Sequence, residues 1–175
     1  FQQALIAVED NRFHQHSGID MEAVFRAVLV NLRSGELKEG GSTITQQLVK
    51  NLFLSQDRTW SRKALEIPLT WLMELQFSKS EILEMYVNTI YFGSGAYGIN
   101  EAAQTYFGKA PRDLTLAEAS LIAGLPAAPS VYSPLVNLEK ARQRQRIVLA
   151  AMVKYGFITE RQAGEARNAP LRFDN

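Results

Sequence analysis

The sequence predicts an all-α fold, and three observations carry that prediction. Apolar residues recur at steps of three and four along nearly the whole chain, the spacing that places them on one face of a helix. Helix-starting patterns of Ser or Thr followed three residues later by Glu or Gln stand at Ser78–Glu81, Thr115–Glu118 and Thr159–Gln162. No stretch alternates with the period of two that a half-buried strand requires.

The elements follow in order. An apolar opening helix is closed by Glu9 and Asp10. From Asp20, a good N-cap, the residues Met21, Val24, Phe25, Val28, Leu29 and Leu32 form one stripe. Residues 33–41 are a polar, glycine-containing break. Residues 42–54 return to helical spacing through Ile44, Leu48, Val49, Leu52 and Phe53. Residues 58–77 read as a long helix, with Pro68 a kink or the start of a second piece. A helix from Ser78 to about Val87 precedes a loop over 91–98 that carries three glycines. Ile99, Ala102, Ala103, Tyr106 and Phe107 make the next stripe, which Gly108 stops. A short apolar helix runs from Thr115 to about Gly124. Residues 125–134 hold Pro126, Pro129 and Pro134 and are expected to be extended or turning. A long basic-faced helix over 138–155 ends at Gly156, and Thr159 opens the last one. The total is eight or nine helices in one domain, 1–175.

Composition narrows the function. With 175 residues, 46% hydrophobic and 21% charged, the chain can bury a sizeable core. A formal net charge of +1 argues against sequence-nonspecific nucleic-acid binding, which needs a stronger basic excess. The absence of cysteine excludes disulfides, thiolate zinc sites and a Cys nucleophile. No apolar run approaches the roughly 18–20 residues that span a bilayer. The chain opens at Phe1 and not at Met, so the expectation is of an excised piece with any anchor upstream.

Three clusters could carry chemistry. In the first, Glu9 and Asp10 precede Phe13, His14 and His16. Such a carboxylate could act as a general base, against the plainer reading of a solvated helix end. His14 and His16 lie two apart, not at helical metal-ligand spacing, and suit structural hydrogen bonding better than a metal. In the second, residues 40–51 (GGSTITQQLVKN), Thr43, Gln47, Lys50 and Asn51 share a helix face opposite the apolar one. A Gly-rich entry to a helix N-terminus also suits an anion, although the lysine is out of frame for a P-loop. A solvated polar face is the bland alternative. In the third, Arg62 and Glu66 sit at i,i+4. They form either a routine surface pair or an anion-binding arginine with its supporting carboxylate.

Together these segments resemble the peptidoglycan glycosyltransferase domain, glycosyltransferase family 51. The resemblance rests on Glu9–Gly18 (EDxxFxxHxG), Gly40–Asn51, Arg62–Glu66 (RKxxE), Lys79–Asn88 (KxxILExYxN) and Gly95–Lys109 (GAYGIxxAAxxYFGK), with Ala117–Pro134 after them. It covers nearly the whole chain, in order. It implies a lysozyme-like all-α fold with a head lobe and a membrane-associated jaw lobe. It implies polymerisation of lipid II into β-1,4 glycan strands, with inversion and loss of polyprenyl pyrophosphate. The catalytic base maps onto Glu9 and an assisting carboxylate onto Glu66. The groups at the donor pyrophosphate map onto Gln47, Lys50 and Arg62, with Thr43 and Asn51 nearby and Asp10 beside the base as a further substrate-binding position. No cofactor is required, and a divalent cation such as Mg at the pyrophosphate is an option. The implied partners are lipid II, the growing strand, the membrane surface and a covalently linked transpeptidase domain. The implied location is the extracytoplasmic face of the bacterial plasma membrane. The competing enzyme reading is a lysozyme-like hydrolase or lytic glycosidase on finished glycan, which has no need of the Lys50 and Arg62 cations. A third reading is a non-catalytic helical module. The apolar stretch 60–77 reads as core or as an interfacial helix, and the membrane-facing surface is placed at Phe53–Trp60.

Overall fold

The computed structural model describes residues 1–35, 40–54 and 60–174, with residues 60–63 described by their backbone alone. The fold is all-α, as the spacing predicts. Ten α-helices are described: α1 (Gln2–Glu9), α2 (Met21–Ser34), α3 (Ile44–Phe53), α4 (Trp60–Gln76), α5 (Lys79–Thr89), α6 (Gly98–Phe107), α7 (Leu116–Gly124), α8 (Pro129–Tyr132), α9 (Leu138–Lys154) and α10 (Glu160–Asn168). The one extended pairing among the described residues is an isolated antiparallel bridge between Tyr91 and Tyr97.

The capping patterns do what their spacing requires. At Thr115 and Thr159 the side chain accepts from the backbone N–H three residues on, and the Glu118 or Gln162 side chain accepts from the cap's own N–H. Ser78 and Glu81 make the same exchange. Asp20 takes the N–H groups of Glu22 and Ala23.

Of the extended and turning forms expected for residues 125–134, the turning one is found: Leu125–Ala127 is a 3-10 turn and Pro129–Tyr132 one turn of α-helix. Proline is tolerated at the first helical position, where its missing N–H has no partner to lose. The helix α4 runs through Pro68, from Trp60 to Gln76, so Pro68 does not start a second piece. An interior proline removes the bond to the carbonyl four residues back and crowds that carbonyl.

The chain divides into two compact units, Phe1–Asn11 with Val87–Asn175, and Arg12–Tyr86. In the first, α1 and α7 pack against each other and against α9. Every residue of α7 from Ala117 to Gly124 is buried, as are Ala4, Leu5, Ile6 and Ala7 of α1. In the second, α3 packs on α4, and the buried set includes Phe13, Ile44, Leu48, Val49, Met73 and Tyr86.

The apolar stripe of α2 is not core. Met21, Phe25, Val28, Leu29 and Leu32 all stay exposed, Phe25 at 65% and Leu32 at 75%. On α4, Leu65, Ile67, Trp71, Leu72 and Leu75 are exposed too. A buried-core reading of residues 60–77 therefore holds for Met73 but not for most of the stretch. Leu52 and Phe53, expected on the packing face of α3, are likewise exposed.

Candidate active site

Glu9 is the last residue of α1, and its side chain is only 11% exposed. Asp10 follows as the C-cap, buried at 7%, its N–H donating to Ile6 O at 3.0 Å. A helix C-terminus carries the negative end of the macrodipole, so carboxylates are disfavoured there. No basic residue in the last turn of α1 offsets this. The cation comes from α9: Arg144 Nη2 donates to Glu9 Oε1 at 3.3 Å. Sequence reading missed Arg144. On the basic face of α9 it looks like Arg142 and Arg146, and spacing alone does not say which turns inward.

The second cluster begins one residue later than the glycine-rich segment suggests. Thr43 is the N-cap of α3 and buried at 2%; its Oγ1 accepts from Gln46 N, and its N–H donates to Gln46 Oε1. The Thr43 hydroxyl also donates to Gly18 O. This is a fourth capping box, after Ser78–Glu81, Thr115–Glu118 and Thr159–Gln162, and it too is legible in the sequence. It has a consequence for anion binding. The Gln46 N–H is taken up by the cap, so any anion at this helix start would meet the other N–H groups of the first turn. Thr43 and Gln46 bond to each other across the cap, and Gln47, Lys50 and Asn51 follow on α3. Lys50 and Asn51 are exposed and Gln47 is half-buried. Gln47 Oε1 accepts from the Tyr86 hydroxyl at 2.8 Å, so a fully buried tyrosine of α5 orients that amide.

Glu66 lies on α4 and is buried at 3%. Glu66 is therefore not a solvated surface residue. The Arg62 side chain lies outside the described residues, as do Ser55–Thr59 of the expected membrane-facing segment and the Trp60 side chain. His16 Nδ1 accepts from Gly18 N at 3.1 Å, and both histidine rings stand edge-on to Phe13. That is the structural role expected of them. Among the described residues no three acidic or His side chains converge on a metal position. A separate cavity of about 910 Å³, lined by residues including Phe107, Lys109, Glu118 and Phe173, contains none of the candidate residues.

Glu9 and Asp10 thus sit in the first unit, and Thr43, Gln47, Lys50, Asn51 and Glu66 in the second. Known proteins resemble this chain in sequence. The transglycosylase family profile matches residues 1–153. A penicillin-binding protein 1A of Aquifex aeolicus is 51% identical over 168 residues, which is 96% of this chain and 23% of that protein. Its counterpart in Neisseria lactamica is 50% identical over 171 residues, 98% of this chain and 21% of that one. The crystal structure of penicillin-binding protein 1A from Haemophilus influenzae superposes with a TM-score of 0.54 at 31% identity, over 75% of this chain and 16% of that one. The chain spans about a fifth of the length of these curated relatives. Nothing among them supports the hydrolase reading. The chain belongs to the transglycosylase family, the peptidoglycan glycosyltransferases that its motifs resemble.

Proposed function

We propose that this chain polymerises lipid II, joining the disaccharide units into β-1,4 glycan strands and releasing polyprenyl pyrophosphate. The observation that carries the reading is Glu9: a mostly buried carboxylate at the end of α1, in the motif that the family match covers. The acceptor's sugar 4-hydroxyl loses its proton as it attacks the anomeric carbon, and a carboxylate within hydrogen-bond reach takes it. Asp10 stands beside this base. A single displacement inverts the anomeric centre, by the same geometry as an inverting glycosidase.

The leaving pyrophosphate gains charge as the bond breaks. Cations that neutralise it replace an acid, and Lys50 and Arg62 have that role, with Gln47 and Asn51 as amide donors. Thr43 contributes by fixing the start of α3. Glu66, buried on α4, is the assisting carboxylate. A divalent cation, where one takes part, would add charge neutralisation at the leaving pyrophosphate.

A lipid-linked substrate calls for a membrane surface. No helix among the described residues is long and apolar enough to cross a bilayer. The exposed apolar residues of α2 and α4 instead suit partial immersion at the interface, where Trp71 is favoured. These exposed residues support a contact on α2 and α4, in addition to the segment that sequence alone suggests. The enzyme works at the extracytoplasmic face, in a longer protein with a transpeptidase domain.

The test is incubation with labelled lipid II in detergent, the products resolved by gel, wild type beside Glu9→Gln. The expected result is a ladder of strands from the wild type and a loss on the order of 10²–10⁴ in the variant. A variant that keeps most of its turnover overturns the base assignment, and sugar released from finished glycan in place of a ladder favours hydrolysis.

A further inference from the structure

We infer that Arg144 is the positioning residue of the catalytic base: it sets where the Glu9 carboxylate points and holds it there during proton abstraction. The inference rests on Glu9 being that base. Three helix segments of one unit meet at this guanidinium. Nη2 donates to Glu9 Oε1 at the end of α1. Nε donates to Gly124 O, at 3.3 Å, at the end of α7. Arg144 itself stands in α9, which packs on both helices, and its side chain is only 16% exposed. The Tyr132 ring lies beneath the guanidinium carbon at 5.9 Å.

Each contact has a physical reason. The last carbonyls of a helix have no partner of their own, and a cation is favoured at that end. Gly124 O opens the 3-10 turn Leu125–Ala127 and has a second lone pair for the arginine. Glu9 has the opposite problem, a negative charge at a negative helix end with no cation in its own last turn. One arginine answers both, and its planar fork holds two acceptors in fixed directions where a lysine ammonium would act as a point charge. Gly124 is what lets Arg144 through. A Cβ built there would lie 2.8 Å from Arg144 Cγ and 3.4 Å from Val148 Cγ2. Yet its backbone, at φ −81° and ψ −18°, is ordinary helix that any residue adopts, so flexibility does not account for the glycine.

The test uses strand polymerisation from lipid II by the wild type and by Arg144→Ala, Arg144→Lys and Gly124→Ala, with helical circular dichroism and melting as the check on folding. A base misplaced by an ångström costs on the order of 10²-fold. Arg144→Ala is expected to lower kcat by about that factor and to leave KM for lipid II within about threefold. Arg144→Lys is expected to recover part of the loss. Millimolar guanidinium chloride should restore part of the Arg144→Ala rate while doing nothing for Glu9→Gln. Gly124→Ala, which keeps the guanidinium but pushes its stem away, is expected to lower kcat as well. A folded Arg144→Ala enzyme with kcat within twofold of wild type overturns the inference. So does a loss confined to KM, which would make Arg144 a substrate contact, or a loss that neither lysine nor guanidinium relieves. A wild-type protein that builds no strands from lipid II refutes the underlying reading instead, whereas one that builds them regardless of Arg144 refutes this inference alone.

Discussion

The Tyr86 hydroxyl donates to Gln47 Oε1 at 2.8 Å, so a tyrosine with no exposed surface fixes an amide that the substrate is proposed to meet. The carbonyl end of Gln47 is occupied by this bond. On the proposed reading the NH₂ end faces the pyrophosphate, with Lys50 and Asn51 one turn on. Tyr86→Phe keeps the packed ring and removes only this donor. Stability should fall by about 1 kcal/mol, the usual net worth of such a bond. KM for the donor should rise severalfold more than KM for the acceptor. Steady-state kinetics with a defined acceptor oligomer would read this, and equal changes at both sites would separate Gln47 from the pyrophosphate.

Lys50 offers the complementary case. It is exposed on α3, so its loss removes little packing. Surface changes of this kind usually shift stability by less than about 0.5 kcal/mol. Lys50→Ala is expected to melt like the wild type and to lose on the order of 10²-fold in turnover, the scale for removing one preorganised donor from a developing charge. Arg in its place should recover part of that.

Membrane contact makes a prediction about residues that the fold does not need. Phe25 and Leu32 are mostly exposed on α2. Burying such side chains in lipid is worth about 1.5–3 kcal/mol each, whereas exposed they add little to folding. Phe25→Ser combined with Leu32→Ser should therefore leave the melting temperature nearly unchanged and weaken co-sedimentation with phospholipid vesicles at least tenfold. Unchanged sedimentation would move the contact to α4.

The helices were legible because their signals are local. Thr115, Thr159 and Ser78 announce their own starts, and a stripe such as Ile99–Phe107 announces its own face. What failed was any reading that needed to know what covers a face. The stripe of α2 has core spacing and yet Phe25 and Leu32 face outward, because periodicity says that a face is apolar and not what it meets. The prolines of 125–134 left both an extended and a turning form open for a related reason: proline breaks a helix interior but suits a first turn, and only the turn's position distinguishes them. At the site, Glu9, Gln47 and Lys50 were marked by their motifs. Arg144 and Tyr86 were not, since each acts through a partner far away in sequence: 135 and 39 residues, respectively.

Gly98 is a position where backbone geometry decides. It opens α6 at φ +81°, its N–H donates to Ile90 O at 2.8 Å, and a Cβ would lie 2.5 Å from Asn88 O. Neither the left-handed conformation nor a backbone neighbour can yield cheaply. Gly98→Ala should destabilise by roughly 2–4 kcal/mol, at the upper end for single substitutions, and reduce the soluble yield. Gly95 also has positive φ, at +80°, but has nothing within 4 Å of the added carbon. Gly95→Ala should cost only the conformational part, about 1 kcal/mol. Chemical denaturation of the pair would separate the two effects, and equal losses would refute the steric argument.

Acid should loosen the protein at Glu118. Burial, the largest single influence on this carboxyl, pushes its pKa up, but the Lys109 ammonium at 2.6 Å and the Thr115 backbone N–H at 2.9 Å together outweigh it, and the pKa lies below the ordinary value of 4.5. A carboxyl depressed in the folded state binds its proton more readily when unfolded. Its contribution is therefore fully present above the unfolded pKa and is lost as pH falls through 4.5 towards the folded value. Urea titrations at pH 7, 5 and 4 should show stability dropping over that interval. Lys109→Met takes away the cation and leaves burial less opposed. The acid-dependent drop should shrink, and the protein should already be weaker at pH 7. Glu118→Gln removes the titrating group and should flatten this part of the profile further, while its remaining carbonyl still accepts from Thr115. A Glu118→Gln protein whose stability falls with acid as steeply as the wild type would place the sensitive carboxyl elsewhere.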